Sequence, residues 1–147
     1  MKIFWSLLFA LCGSSIFAQS FVQSSMISYQ QDGRLVKAFV KNEKHQGQAD
    51  RKRTYYYYHQ DKIHHNQGGF TGYLLDGRME VFDEEQRLIE QGQFKEGLKD
   101  GTWKTWYPNG RLQSIRHWKK GEQNGWAETY DEKGELLTQI RFKHNLQ

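Results

Sequence analysis

Residues 94–112 read FKEGLKDGTWKTWYPNGRL. Three glycines (Gly97, Gly101, Gly110) and four aromatic side chains stand in this run beside only two aliphatic ones, Leu98 and Leu112. Asn109-Gly110, flanked by strand-forming residues, marks a tight reversal, because Asn and Gly tolerate the positive φ angles that a short hairpin turn demands. Thr102 to Tyr107 and Arg111 to Lys119 are then two strands. Asp100-Gly101 supplies the next reversal.

The same pattern recurs every 24 residues. Phe82, Trp106 and Tyr130 fall in one register, Leu88, Leu112 and Leu136 in a second, and Phe94, Trp118 and Phe142 in a third. The glycines follow: Gly77, Gly101 and Gly125 are in step, as are Gly110 with Gly134 and Gly97 with Gly121, while Gln86 stands where the earlier copy would carry glycine. Lys95, Lys119 and Lys143 also coincide. A fixed period across independent registers is the mark of tandem repeats, and the turn chemistry makes each repeat a β-hairpin.

Strand side chains alternate with period two, so an even repeat keeps equivalent residues on one face of a continuous antiparallel sheet. The face carrying Leu88, Phe94, Leu112, Trp118, Leu136, Ile140 and Phe142 is expected to be buried. Trp103, Thr105 and Tyr107 are expected on a half-polar neighbouring face. The regular repeats cover 70–147. Over 27–65 they are diverged: Tyr29 to Leu35 has the spacing of Trp106 to Leu112, residues 42–53 read as a polar loop, and Tyr55 to Tyr58 restart the strand pattern.

The N-terminus reads differently. Lys2 precedes an apolar run from Ile3 to Leu11, and Ala18 offers a small residue before Gln19, the pattern of a secretory signal peptide over 1–18. Cleavage after Ser20 is the alternative, and either cut leaves about 127 to 129 residues. The apolar run is too short for a membrane span, which wants about 20 residues, and no second such run follows. The single cysteine, Cys12, falls inside the leader, and Leu11 before it argues against lipid attachment there. The expectation is an exported protein, periplasmic or extracellular, with outer-membrane association as an alternative, that folds without disulfides. Its formal charge of +4 is too small and too dispersed to imply nucleic acid.

Phe94, Lys95, Gly97, Asp100, Gly101, Trp103, Tyr107, Asn109, Gly110 and Leu112 give the motif by which the chain resembles MORN repeats. It is similar in particular to the bacterial MORN-variant proteins labelled YwqK-family antitoxins. Ala127, where Trp103 would be, and Gln86 depart from the motif. The resemblance implies an all-β meander of hairpins and a role in binding other molecules, with no shared catalytic centre. It also leaves an antitoxin-like partnership with a toxin as one reading.

Candidate chemistry is sparse. His59, Asp61, His64 and His65 lack a zinc-signature spacing, and a polar hairpin would write the same letters. Arg51-Lys52-Arg53 beside Tyr55 to Tyr58 mixes cations with aromatics, as single-strand binders do, but basic residues on an edge strand explain it, and an exported chain favours anionic lipid headgroups over nucleic acid. Lys95, Lys119 and Lys143 would form a ladder with steps of about 10 Å, two strands per repeat. No serine, histidine and acid set forms a catalytic motif, and no cofactor or metal is implied. Two binding readings remain: a protein-interaction scaffold that docks a partner or a second copy, and an envelope glycan module that stacks sugars on Trp103 and Tyr107. The second requires those rings to be exposed.

Overall fold

The structure, a computed structural model, describes residues 24–143. The expected leader, Cys12 and the cleavage positions lie outside the described residues. Ten strands and no helix make up the described chain: β1 (Ser24–Gln31), β2 (Arg34–Gln48), β3 (Thr54–His59), β4 (Lys62–Gln67), β5 (Gly69–Phe82), β6 (Leu88–Lys95), β7 (Leu98–Trp106), β8 (Leu112–Lys119), β9 (Glu122–Tyr130) and β10 (Leu136–Phe142). They join in one open antiparallel sheet of order β1-β2-β5-β6-β7-β8-β9-β10, from which β3 and β4 branch at β5. The all-β hairpin meander expected from the repeats is the architecture.

Two kinds of turn alternate. The longer one runs Tyr107 to Arg111: Gly110 N–H donates to Tyr107 C=O at 2.9 Å, Tyr107 N–H to Arg111 C=O at 2.8 Å, and Gly110 takes φ +81°. Asp83 to Arg87 and Asp131 to Glu135 repeat these bonds 24 residues either side. Gln86 therefore adopts φ +62° where the other copies use glycine.

The shorter turn is not where the sequence placed it. Glu96-Gly97 and Lys120-Gly121 reverse the chain, each pair with both φ angles positive, whereas Asp100-Gly101 and Asn124-Gly125 lie inside β7 and β9. Positive φ at Gly77, Gly101 and Gly125 serves β-bulges instead. Between the pairs Gln91↔Lys104 and Gln93↔Asp100, β7 spends two more residues than β6, and the same excess occurs against β2 and β8. Such a bulge bends the strand without ending it.

The expected loop over 42–53 is mostly strand. β2 runs on to Gln48 because β5 is 14 residues long and leaves an edge for it to pair with, from Lys44↔Tyr73 to Gln48↔Gly69. Only 49–53 is irregular, with Arg53 N–H donating to Asp50 C=O.

Ala38, Val40, Leu75, Phe94 and Trp103 form the buried core, and the β3–β4 hairpin packs onto it. Tyr56 carries that packing: its ring lies 4.9 Å from Phe94, and its N–H donates to Gly97 C=O at 2.7 Å. Phe94 meets Trp103 edge to face at 5.0 Å, a geometry that aromatic pairs favour. Ile27, Tyr58, Met79 and Trp118 pack around the cluster.

Trp103 corrects the assignment of faces. It is 4% exposed and shares the buried face with Phe94. A two-residue turn mates odd positions of one strand with even positions of the next, as in Phe94↔Lys99, and a bulge of two residues preserves that parity. The odd residues of β7 therefore lie with the even residues of β6. In the register Leu88, Leu112 and Leu136, the first two are half-buried and Leu136 is 52% exposed, so burial fades toward the C-terminal edge.

Candidate binding groove

The repeat ends build one wall of a groove. Lys95 closes β6, Lys119 closes β8 and Lys120 opens the following turn, and all three are exposed at its rim. The opposite wall comes from the diverged N-terminal part and the start of β5: Lys41 of β2, Arg53 of the 49–53 loop, Tyr55 of β3 and Phe70 of β5. Tyr55 and Phe70 pack ring on ring at 5.4 Å. The buried Leu74 and Leu98 and the half-buried Trp118 complete an apolar floor. The cavity measures about 890 Å³. That is within the range of ligand sites.

Its charge is unbalanced. Lys41 Nζ sits 3.1 Å from Glu96 Oε1, and Arg53 Nε 3.2 Å from Asp50 Oδ2. Asp100 is spent on the backbone, its Oδ2 accepting from Lys120 N–H at 3.1 Å. Among the described residues Lys95, Lys119 and Lys120 stand in no ion pair. A positive rim over a desolvated apolar floor is suited to a ligand that brings negative charge and apolar surface together.

Beneath Trp118 lies a feature the sequence did not announce. Lys99 Nζ is 3.9 Å from the ring centroid of Trp103, 5.3 Å from that of Trp118 and 5.5 Å from that of Tyr56. Three ring faces hold one ammonium, and the cation joins β7, β8 and the β3–β4 hairpin. Burial pushes the Lys99 pKa down, against the nearby Glu90 carboxylate, which raises it. The signal was a broken register: Leu75, Lys99 and Gln123 are 24 apart, yet only one is a cation. Leu74 and Leu98 were also legible as a 24-residue pair.

The other sequence candidates scatter. Trp103 is core, and Tyr107 is half-buried with its hydroxyl donating to Tyr130 C=O at 2.9 Å, so it ties one repeat to the next. The structure brings Lys95 and Lys119 to one rim; Lys143 is exposed just past β10 and does not line the groove. Phe82, Trp106 and Tyr130 are half-buried at strand ends. His64 and His65, neighbours on β4, point to opposite faces, His64 stacking on Tyr57 and His65 on Tyr56. No group of three metal-ligating side chains gathers among the described residues, and they contain no helix long and apolar enough to cross a membrane, a statement that does not bear on β-barrels.

Comparison with known families finds one match: residues 99–120 fit the MORN repeat variant. The match covers the stretch from Lys99 through β7 and β8 to Lys120, one full hairpin of the meander. Neither the curated proteins nor the solved structures yield a match. The chain thus carries a MORN-variant repeat, and such a repeat suggests a binding or scaffold role.

Proposed function

We propose that this is an exported, non-enzymatic scaffold protein that docks a protein partner in the groove. The observation that carries the reading is the combination of an unpaired lysine rim with an apolar floor, assembled where the repeat array meets the β3–β4 hairpin. Export rests on the leader-like pattern of residues 1–18. The glycan reading loses its footing, because sugar stacking needs exposed ring faces and Trp103 is in the core while Tyr107 is engaged with Tyr130.

The test is capture from envelope extract by the wild-type chain and by a Lys95→Glu, Lys119→Glu variant, with proteins and sugars identified. A specific protein held by the wild type and lost by the variant supports the reading. Polysaccharide alone would turn the assignment to glycan binding, and equal capture by both chains would remove the groove from the function. Sequencing the N-terminus of the chain from the extracytoplasmic fraction tests export, with a start at Gln19 or Phe21 expected.

A further inference from the structure

The groove's chemistry narrows what kind of partner segment it takes. We propose that its occupant is an extended acidic peptide segment carrying an aromatic or large aliphatic anchor, the carboxylates meeting Lys95, Lys119 and Lys120 and the anchor entering the floor. This rests on the reading of the groove as a protein-docking site.

Three observations support it. First, the anchor site is apolar and built in advance: Leu74 and Leu98 are buried, and the tilted Tyr55–Phe70 ring pair walls one side. A polyhydroxyl sugar would leave hydroxyls unpaired against the leucines, whereas an apolar side chain desolvates them at no such cost. Second, the lysine rim sits above that floor rather than apart from it, so one short segment can satisfy both. Lys95 and Lys119 are equivalent positions two strands apart, about 10 Å at the strand spacing of an antiparallel sheet. Side chains two apart on an extended chain are about 6.8 Å apart, and the long lysine stems cover the difference. Third, the floor is held rigid from below. Lys99 fixes Trp118 and Trp103 against Tyr56, so the groove does not have to order its own rings when it is filled.

An anionic membrane surface would use the same lysines but not the floor, because lipid headgroups present charge over a plane rather than a side chain to a recess. The floor is what separates the two.

The experiment is selection of a random-sequence displayed peptide library on the full-length chain, followed by fluorescence anisotropy with the enriched peptides. Asp or Glu flanking a Phe, Trp, Leu or Ile is expected to be enriched. The selected peptide should bind at least tenfold more weakly to Lys95→Glu, Lys119→Glu, and again at least tenfold more weakly when its anchor is replaced by serine. Both substituted lysines are exposed, so the variant keeps its fold, which its thermal transition checks. A further variant, Leu98→Ser, removes apolar floor while keeping all three rim lysines and should weaken the same peptide, its thermal transition checking that the fold survives. Enrichment of peptides without acids, failure to enrich any, or retention of binding by the charge-reversed variant would overturn the proposal. So would binding to phosphatidylglycerol vesicles that Leu98→Ser leaves intact. A protein captured through the groove whose docking segment is not acidic would overturn this inference and leave the scaffold reading standing.

Discussion

A methyl group added at position 92 would lie 2.2 Å from Cδ2 of Trp103, so the indole sits flat on a backbone that has no side chain there. Gly92 and Trp103 therefore act as a pair. Gly92→Ala is expected to destabilise the fold by about 1–3 kcal/mol through overpacking, and Trp103→Ala by about 3–5 kcal/mol through the cavity it leaves. In a double-mutant cycle followed by denaturant unfolding, Gly92→Ala should cost much less once Trp103 is alanine; additive effects would mean that the ring is not seated on Gly92. Tyr56 offers a readout in pH. Burial raises its pKa above 10.0, with the Glu90 carboxylate adding to the rise. Its contribution is thus fully present below pH 10 and is lost as pH climbs through the folded value. Tyr56→Phe should leave stability at pH 7 little changed and flatten the alkaline fall; Tyr29, raised by burial as well, accounts for part of what remains. Glycine and tryptophan were both visible in the sequence as residue types. Their pairing was not, because it depends on a register that only the position of the turn decides.

At the level of the hairpin, the acidic residue of each Asp-Gly step does more than precede a bulge. Asp76 Oδ1 accepts from Glu96 N–H at 2.8 Å, and Asp100 Oδ2 accepts from Lys120 N–H at 3.1 Å, so each strand caps the reversal that begins the next repeat. The glycine N–H of each reversal is taken too, Gly97 by Leu75 C=O and Gly121 by Lys99 C=O. Asp100→Ala should cost about 1 kcal/mol, the net worth of one hydrogen bond to an exposed turn, and accelerate amide exchange at Lys120. Asp100→Asn, which keeps an acceptor oxygen, should recover most of both; equal losses for the two variants would show that charge rather than the bond matters. The 24-residue spacing, the long turns and the strand identity of β6 to β10 were all legible, since Asn-Gly and aromatic alternation report local backbone preferences. The function of Asp-Gly was misread because positive φ is shared by a reversal and a bulge. The extension of β2 over 42–48 was hidden for a different reason: its polar residues are recruited by the spare edge of β5, a tertiary cause that no local pattern carries.

Across the whole sheet, burial is concentrated where the diverged half meets the repeats. The core residues come from β2, β5, β6 and β7, with the β3–β4 hairpin packed on them, while Leu136, Leu137 and Ile140 of β10 are each more than half exposed. Repetition predicts equal copies, so this slope was not legible in the 24-residue pattern; it comes from the β3–β4 hairpin, which covers only one end. The slope leaves β10 as an apolar edge with unpaired backbone groups on its outer side among the described residues. Such edges invite pairing with another chain, and a lysine directed outward is a common deterrent. Ile140→Lys should reduce concentration-dependent association in sedimentation without lowering the unfolding midpoint by more than a fraction of its value. The same slope sets the order of local opening. Native-state amide exchange should find β5, β6 and β7 opening only with global unfolding, β8 and β9 at intermediate free energies, and β10 at the lowest, because each step outward has fewer buried side chains to lose. Trp103→Ala should then pull the most protected group down while leaving the exchange of β10 amides nearly unchanged, since those already open locally. Uniform protection from β5 to β10 would instead mean that the repeats are coupled tightly enough to unfold as one unit, and that the covered end stabilises the exposed end across the three strand interfaces between β7 and β10.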